Sequence, residues 1–214
     1  MKRIPRHIIF DLDGTLIDSK QEIVKTYKLV FSKIVPGKSV NYEKINYGAT
    51  INEVLNNIYL KDEEKRNKAK KLFSSIYDNS DFAETKIFED VMNVLGFLKK
   101  QKNRLYIATN KRLVPTIQIL KKKELFHLFS DIMANEMIPD VTLSKEQMIA
   151  ALKSKYSFSE GFMVGDSAVD ISAGNNQKLL TIAVSYGYED RELVSIQNPL
   201  YVIDSFKEII SIVK

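Results

Sequence analysis

Short apolar runs alternating with helical stretches set the pattern of the second half of this chain. "RLYIAT", "DIMAN", "GFMVGD", "LTIAV" and "YVID", together with the opening "HIIFD", predict six buried strands. Their alternation with helices predicts an α/β fold, a doubly wound parallel sheet with helices on both faces. Residues 15 to 85 break that pattern, because they carry only the helical period. Ser19 with Glu22 predicts a capping box, followed by Ile23, Tyr27, Val30, Phe31 and Ile34 at helical spacing until Pro36 and Gly37. Thr50 with Glu53 predicts the same device ahead of Val54, Leu55, Ile58 and Tyr59. A third helix is expected over 62–77, with Ala69, Leu72, Phe73 and Ile76 on one face, and a shorter fourth over 41–47. This all-helical segment interrupts the sheet right after its first strand. Residues 16–82 are therefore expected to form an inserted cap on a core made of 1–15 and 83–214, with linkers near 15–19 and 79–86.

Composition narrows the picture only a little. At 214 residues, 44% hydrophobic and 28% charged, the chain suits one globular core carrying one smaller insert. The absence of Cys excludes disulfides, thiolate nucleophiles and Cys-based metal sites, and fits a reducing, cytoplasmic setting. Asp11 and Asp13 cut the first apolar run far short of a signal-peptide core, and no segment approaches membrane-spanning length. The net charge of +5 suits small anionic ligands. Lysines such as Lys99, Lys100, Lys121 and Lys122 fall near predicted helix ends, and no aromatic-interleaved basic stripe points to nucleic acid.

The chemistry collects where the strands end, which is where open parallel sheets bind ligands. The first strand ends in Asp11 and Asp13, "YIATNK" in Thr109, Asn110 and Lys111, and "FMVGDSAVD" in Asp166 with Asp170 beyond it. Lys145 starts a helix capped by Ser144. Acids this close repel one another unless a cation lies between them. Mg²⁺ fits, since it takes oxygens from one or two carboxylates and from substrate phosphate. Gly14 permits a tight turn whose N–H groups can face an anion, and Thr109, Asn110 and Lys145 add donors.

In "DLDGTLIDS", "TNK", "GDSAVD" and "VSYGY", in this order and over nearly the whole chain, the sequence resembles the haloacid dehalogenase superfamily, particularly its phosphoglycolate phosphatase-like members. The resemblance implies a Rossmann-like core with a helical cap. It also implies Mg²⁺-dependent hydrolysis of a small phosphomonoester, with phosphoglycolate the leading candidate, by a monomer or homodimer. Asp11 would be the nucleophile that becomes a phosphoaspartate, and Asp13 the acid that protonates the leaving oxygen and then activates water. The Asp11 carboxylate, the Asp13 carbonyl and Asp166 would hold the metal, with Asp170 behind them. Thr109, Asn110 and Lys145 would hold the phosphoryl oxygens, and Lys145 would keep Asp11 ionised. The sequence departs from the family pattern where Glu146 follows Lys145, where Glu89 and Asp90 precede a helix, and where Gln177 and Lys178 end one. A left-handed backbone is expected at Lys178.

A phosphosugar mutase, a nucleotidase and a pyrophosphatase remain alternatives, as does a non-catalytic phosphate-binding module. The presence of Asp13 disfavours a dehalogenase. Elsewhere the simpler readings hold. Lys111 and Arg112 are expected as solvated helix-start residues, His7 and His127 as structural, and Phe126 and Phe129 as packing beneath the sheet. Tyr27, Tyr42, Tyr47 and Tyr59 are expected mostly in the cap's core, with one of them lining the site. Asn46, Thr50 and Asn52 are the cap residues expected to meet the substrate beyond its phosphate.

Overall fold

In the computed structural model, which describes residues 6–45, 47–58, 60–135 and 142–213, all six apolar runs form strands. After β1 (His7–Phe10) come a short β2 (Ile17–Asp18), α1 (Lys20–Ile34), α2 (Ile51–Asn57), α3 (Glu63–Asp78) and β3 (Lys86–Ile87). The alternation then runs α4 (Val91–Lys100), β4 (Arg104–Arg112), α5 (Leu113–Lys122), β5 (Asp131–Asn135) and α6 (Lys145–Tyr156). It continues through β6 (Phe162–Gly165), α7 (Ala168–Asn176), β7 (Leu180–Val184), α8 (Arg191–Ser195), β8 (Tyr201–Ile203) and α9 (Ile209–Ile212).

The main sheet is parallel, in the order β5-β4-β1-β6-β7-β8. β1 is central, with Phe10 opposite Ile107 on one side and Val164 on the other. The chain builds outward from β1 through β4 and β5, then crosses back to β6. The tip of β1 therefore lies where the winding reverses, the crevice in which such sheets bind ligands. The strands are apolar throughout because helices cover both faces. Ile8 and Phe10 belong to one buried cluster with Ile107, Leu95 and Ile119, whereas Ile9 joins Tyr106, Met148, Ile149 and Met163 on the opposite face. Each such side chain, once fully buried, contributes about 1.5–3 kcal/mol. The first cluster runs on into Tyr27, Phe31, Leu55 and Tyr77 of the helices between β2 and β3.

Several local expectations are corrected. Ser19 precedes α1 but makes no side-chain cap, since its hydroxyl bonds Asp13 instead. Glu22 is buried and accepts hydrogen bonds from Ser80 Oγ and the Glu84 N–H, so a residue read as part of a cap ties α1 to the second linker. The linkers themselves pair as an antiparallel ribbon, Ile17 opposite Ile87 and Asp18 opposite Lys86. The Thr50–Glu53 capping box does form. Residues 42–44 make one 3-10 turn, capped by Asn41, in place of a longer helix. Phe126 is exposed beside Lys121, while Phe129 packs edge-on against Phe10. Tyr27 and Tyr47 are buried; Tyr59 lies outside the described residues. Lys178 has φ +57° and Asp90, just before α4, φ +62°, both left-handed as the missing glycines would suggest. His7 stacks on Tyr106 and Phe158, as a structural histidine does. Among the described residues no helix is long and apolar enough to cross a membrane.

Candidate active site

Adjacent strand tips bring the acids together. Phe10 pairs with Val164, so Asp11, the residue just past β1, and Asp166 just past β6 emerge side by side; the Asp11 N–H bonds Val164 O at 2.9 Å. Lys145, the first residue of α6, enters from the next crossover. Its ammonium meets Asp11 Oδ1 at 2.6 Å, Asp170 Oδ1 at 2.7 Å and Ala108 O at 2.8 Å. Asp11 and Ala108 take two of its three N–H donors, and Asp170 Oδ1 stands at ion-pair distance without a well-aligned hydrogen bond. Ser144 and Gln147 close a capping box that fixes the start of this helix. Asp170 is held on its other oxygen by Ser167 Oγ at 2.7 Å.

Asp11, Asp166 and Asp170 are buried, with carboxylate oxygens within 4.8 Å of one another. Burial pushes Asp11 up to about 7, with Lys145 opposing the rise and Asp170 adding to it. Burial likewise drives Asp166 well above the carboxylate range, joined by the charges of Asp11 and Asp170, although the Tyr188 N–H at 2.7 Å and Thr15 Oγ1 at 3.2 Å favour its ionised form. Lys145 shows the opposite balance. Burial alone would lower its pKa, but Asp11 and Asp170 more than offset that and hold it charged. One lysine thus pairs with two of the three buried acids and leaves Asp166 without a cation, an excess of buried negative charge that an oxygen-seeking cation would neutralise. The donor set fits a hard cation.

Two glycines let the chain wrap this closely. A Cβ on Gly14, which has φ +82°, would lie 2.2 Å from Asp166 Oδ2, and one on Gly187 would lie 2.1 Å from Asp166 Cβ. A side chain at either position would displace the carboxylate.

Asp13 points away from that cluster, toward Ser19 Oγ and Lys111 Nζ, the latter at 3.0 Å. Lys111 is not a solvated helix-start residue. The register between β4 and β5 slips between Thr109 and Arg112, and such a bulge re-aims side chains. Lys111 is thereby turned inward, its side chain 6% exposed, and its ammonium also donates to Tyr77 Oη of α3 at 2.9 Å. Burial would lower its pKa, but Asp13 and Tyr77 raise it overall, so it stays charged. Arg112 likewise pairs with Asp78 at the end of α3. Thr109 is buried and its Oγ1 accepts from the Lys111 N–H at 3.2 Å. Asn110 reaches across to Gly48 O at 3.4 Å.

Asp11, Asp13, Thr109 and Asn110 share the wall of a cavity of about 180 Å³ with residues of α1, α3 and the 47–52 segment. Thr50 and Asn52 line it, as do Tyr27 and Tyr47, while Asn46 lies outside the described residues. Lys145, Asp166 and Asp170 stand behind Asp11. Sequence reasoning missed Lys111, Ser19, Tyr77 and Tyr188, which gather around Asp13 and Asp166. Only the quoted "VSYGY" hinted at Tyr188, and a bulge leaves no local signal.

Residues 8–184 match the model of the haloacid dehalogenase-like hydrolases. A phosphoglycolate phosphatase of Vibrio parahaemolyticus is 28% identical over 222 residues, covering 96% of this chain and 95% of its own. A Clostridium perfringens protein named as a pyrophosphatase, PpaX, is 29% identical over 210 residues, with 97% and 96% covered. Among solved structures, a haloacid dehalogenase-like family hydrolase from Streptococcus pneumoniae superposes with a TM-score of 0.87 at 19% identity, over 98% of this chain and 99% of that one, a likeness of fold.

Proposed function

The chain belongs to the haloacid dehalogenase-like hydrolase family, and from that premise we propose that it is a Mg²⁺-dependent phosphatase of small phosphomonoesters, working through a phosphoaspartate on Asp11. One observation carries this reading: Asp11 and Asp13 open onto the same cavity, but Asp11 is held by Lys145 while Asp13 has a separate lysine and hydroxyl. Two carboxylates two residues apart thus have different surroundings, as a nucleophile and an acid–base group require.

In this mechanism an Asp11 oxygen attacks phosphorus as the ester P–O bond breaks, and Asp13 gives its proton to the leaving oxygen. Asp13 then takes a proton from water, whose oxygen attacks the same phosphorus; inorganic phosphate leaves and the Asp11 carboxylate returns. Thr109, the Asn110 N–H and Lys145 hold the phosphoryl oxygens. The Asp11 and Asp166 carboxylates and the Asp13 main-chain carbonyl would hold Mg²⁺, whose charge would offset that of the phosphoryl group. Asp170 orients Lys145. Residues 16–82 act as a cap that excludes water and chooses the leaving group. Phosphoglycolate is the leading substrate, in keeping with the name of the Vibrio relative.

A panel of phosphate esters assayed with Mg²⁺, and again with EDTA, tests the reading. Metal-dependent release of inorganic phosphate is expected; an isomeric ester as product would make the protein a mutase, and tight binding without release a phosphate-binding module. Mg²⁺ should also raise the melting temperature of the parent, because a ligand bound only by the folded state stabilises it by about 2.7 kcal/mol at a hundredfold excess over Kd. The rise should be larger at pH 8 than at pH 5, where protons compete for Asp11 and Asp166, whose pKa values burial raises. Asp166→Ala should abolish most of it. An undiminished Mg²⁺ shift in that variant would place the metal elsewhere.

A further inference from the structure

The cavity has a second polar end that the phosphatase chemistry does not use. Lys70, Phe73, Ser74 and Tyr77 recur along α3 at i, i+3, i+4 and i+7, and all four line the cavity, so one face of this helix forms its wall. Tyr77, at the C-terminal end of that face, belongs to the Asp13 side through Lys111. Lys70 lies two turns away, about 10 Å along the axis at 1.5 Å per residue.

Three cationic side chains line this cavity among the described residues, and two have partners: Lys111 has Asp13, and Arg112 has Asp78. Lys70 is different. Although half-buried on the wall, its ammonium makes no hydrogen bond or ion pair with the described residues, nor does the Ser74 hydroxyl one turn on. The acids on the wall, Asp11 and Asp13, are engaged by Lys145 and Lys111. An ammonium and a hydroxyl at i, i+4 on one helix face are spaced to share the oxygens of one anion. The cavity, about 180 Å³, is smaller than the 300–1,000 Å³ typical of drug-sized ligands, so a small molecule that fills it meets both ends.

We infer that Lys70 and Ser74 form an anion subsite for the leaving group, so that the preferred substrate is a small phosphomonoester whose other end carries a carboxylate or a second phosphate. This rests on the phosphatase reading for the position of the first phosphoryl group. The subsite lies away from the carboxylates, where a second anion meets a cation without meeting Asp11 or Asp13. Lys70 is a specificity residue, outside the group that makes and breaks bonds.

Binding of three phosphonates in Mg²⁺, measured by titration calorimetry, tests the subsite without requiring turnover. Phosphonoacetate presents a carboxylate, methylenediphosphonate a second phosphoryl group, and phosphonoacetamide the same shape as phosphonoacetate without the charge. At least one of the two charged probes should bind about tenfold more tightly than the amide, the gain expected of one charge-assisted contact; which of them gains more identifies the second anion. Lys70→Gln should bring that ratio to within about twofold while leaving amide affinity and melting temperature unchanged, and Lys70→Arg should keep most of the preference. Ser74→Ala should narrow the ratio less. Equal binding of all three probes by the parent, or an unchanged ratio in Lys70→Gln, overturns the subsite. Failure of the ester panel would instead overturn the phosphatase reading, and the binding ratio would still decide for or against the anion preference.

Discussion

Replacing Asp11 with asparagine is expected to cut phosphate release by about 10⁴-fold or more, the scale seen when the attacking group of a concerted constellation is lost. The amide keeps the shape of the carboxylate but has no anionic oxygen to bond phosphorus, so no phosphoaspartate forms and nothing remains for water to attack. The fold should survive, and the reason lies in the charges around Asp11. Burial raises its pKa to about 7, so ionised Asp11 costs the metal-free fold stability. That stability is present at low pH and is lost as pH rises from the ordinary carboxylate value through about 7. A neutral side chain escapes the loss. In EDTA at pH 8 the variant should therefore melt at or above the temperature of the parent, with an unchanged circular dichroism spectrum. Activity within tenfold of the parent would remove Asp11 from the role of nucleophile.

Asp13→Asn should separate substrates by their leaving groups. A general acid contributes about 10² to 10⁴ in rate, so an alkyl phosphate, whose alkoxide leaves poorly, should lose that much. para-Nitrophenyl phosphate needs little help leaving, and its first step should largely survive. Its second step still needs a base for water. Nitrophenol should then appear in a rapid burst of about one equivalent per active site, followed by slow turnover. The surroundings of Asp13 can hold the amide in one orientation. Ser19 donates to one Asp13 oxygen and Lys111 to the other, so the asparagine oxygen must face the Lys111 ammonium and its NH2 the Ser19 hydroxyl, which can also accept. Equal losses on both esters, with no burst, would leave Asp13 only a positioning role.

What the sequence determined by itself is the order of elements and which polar residues stand at the strand tips. Six apolar runs interrupted by one helical insert specify a parallel sheet, because strands buried on both faces must be apolar throughout and their helices must show the 3.6 period. "DLDGT", "TNK" and "GDSAVD" fall at the ends of those runs, so Asp11, Asp13, Thr109 and Asp166 were legible as neighbours before any distance was known. Lys145 was legible too, as a basic residue opening a capped helix, but its three oxygen partners come from the tip of β1, from β4 and from α7, and only the fold shows them.

The rest was decided by tertiary structure, and always for one physical reason: a polar side chain takes the strongest partner within reach, not the nearest in sequence. Ser19 and Glu22 have the local pattern of a capping box, yet Ser19 bonds Asp13 and Glu22 ties down the second linker, since a buried carboxylate left without donors would cost more than an uncapped helix end. Lys111 reads as a solvated cation until the bulge in β4 turns it toward Asp13. Lys70 shows the converse. Its sequence neighbours describe an ordinary charged helix surface, and only the packing of α3 against the cavity leaves that charge facing a small space with no partner among the described residues.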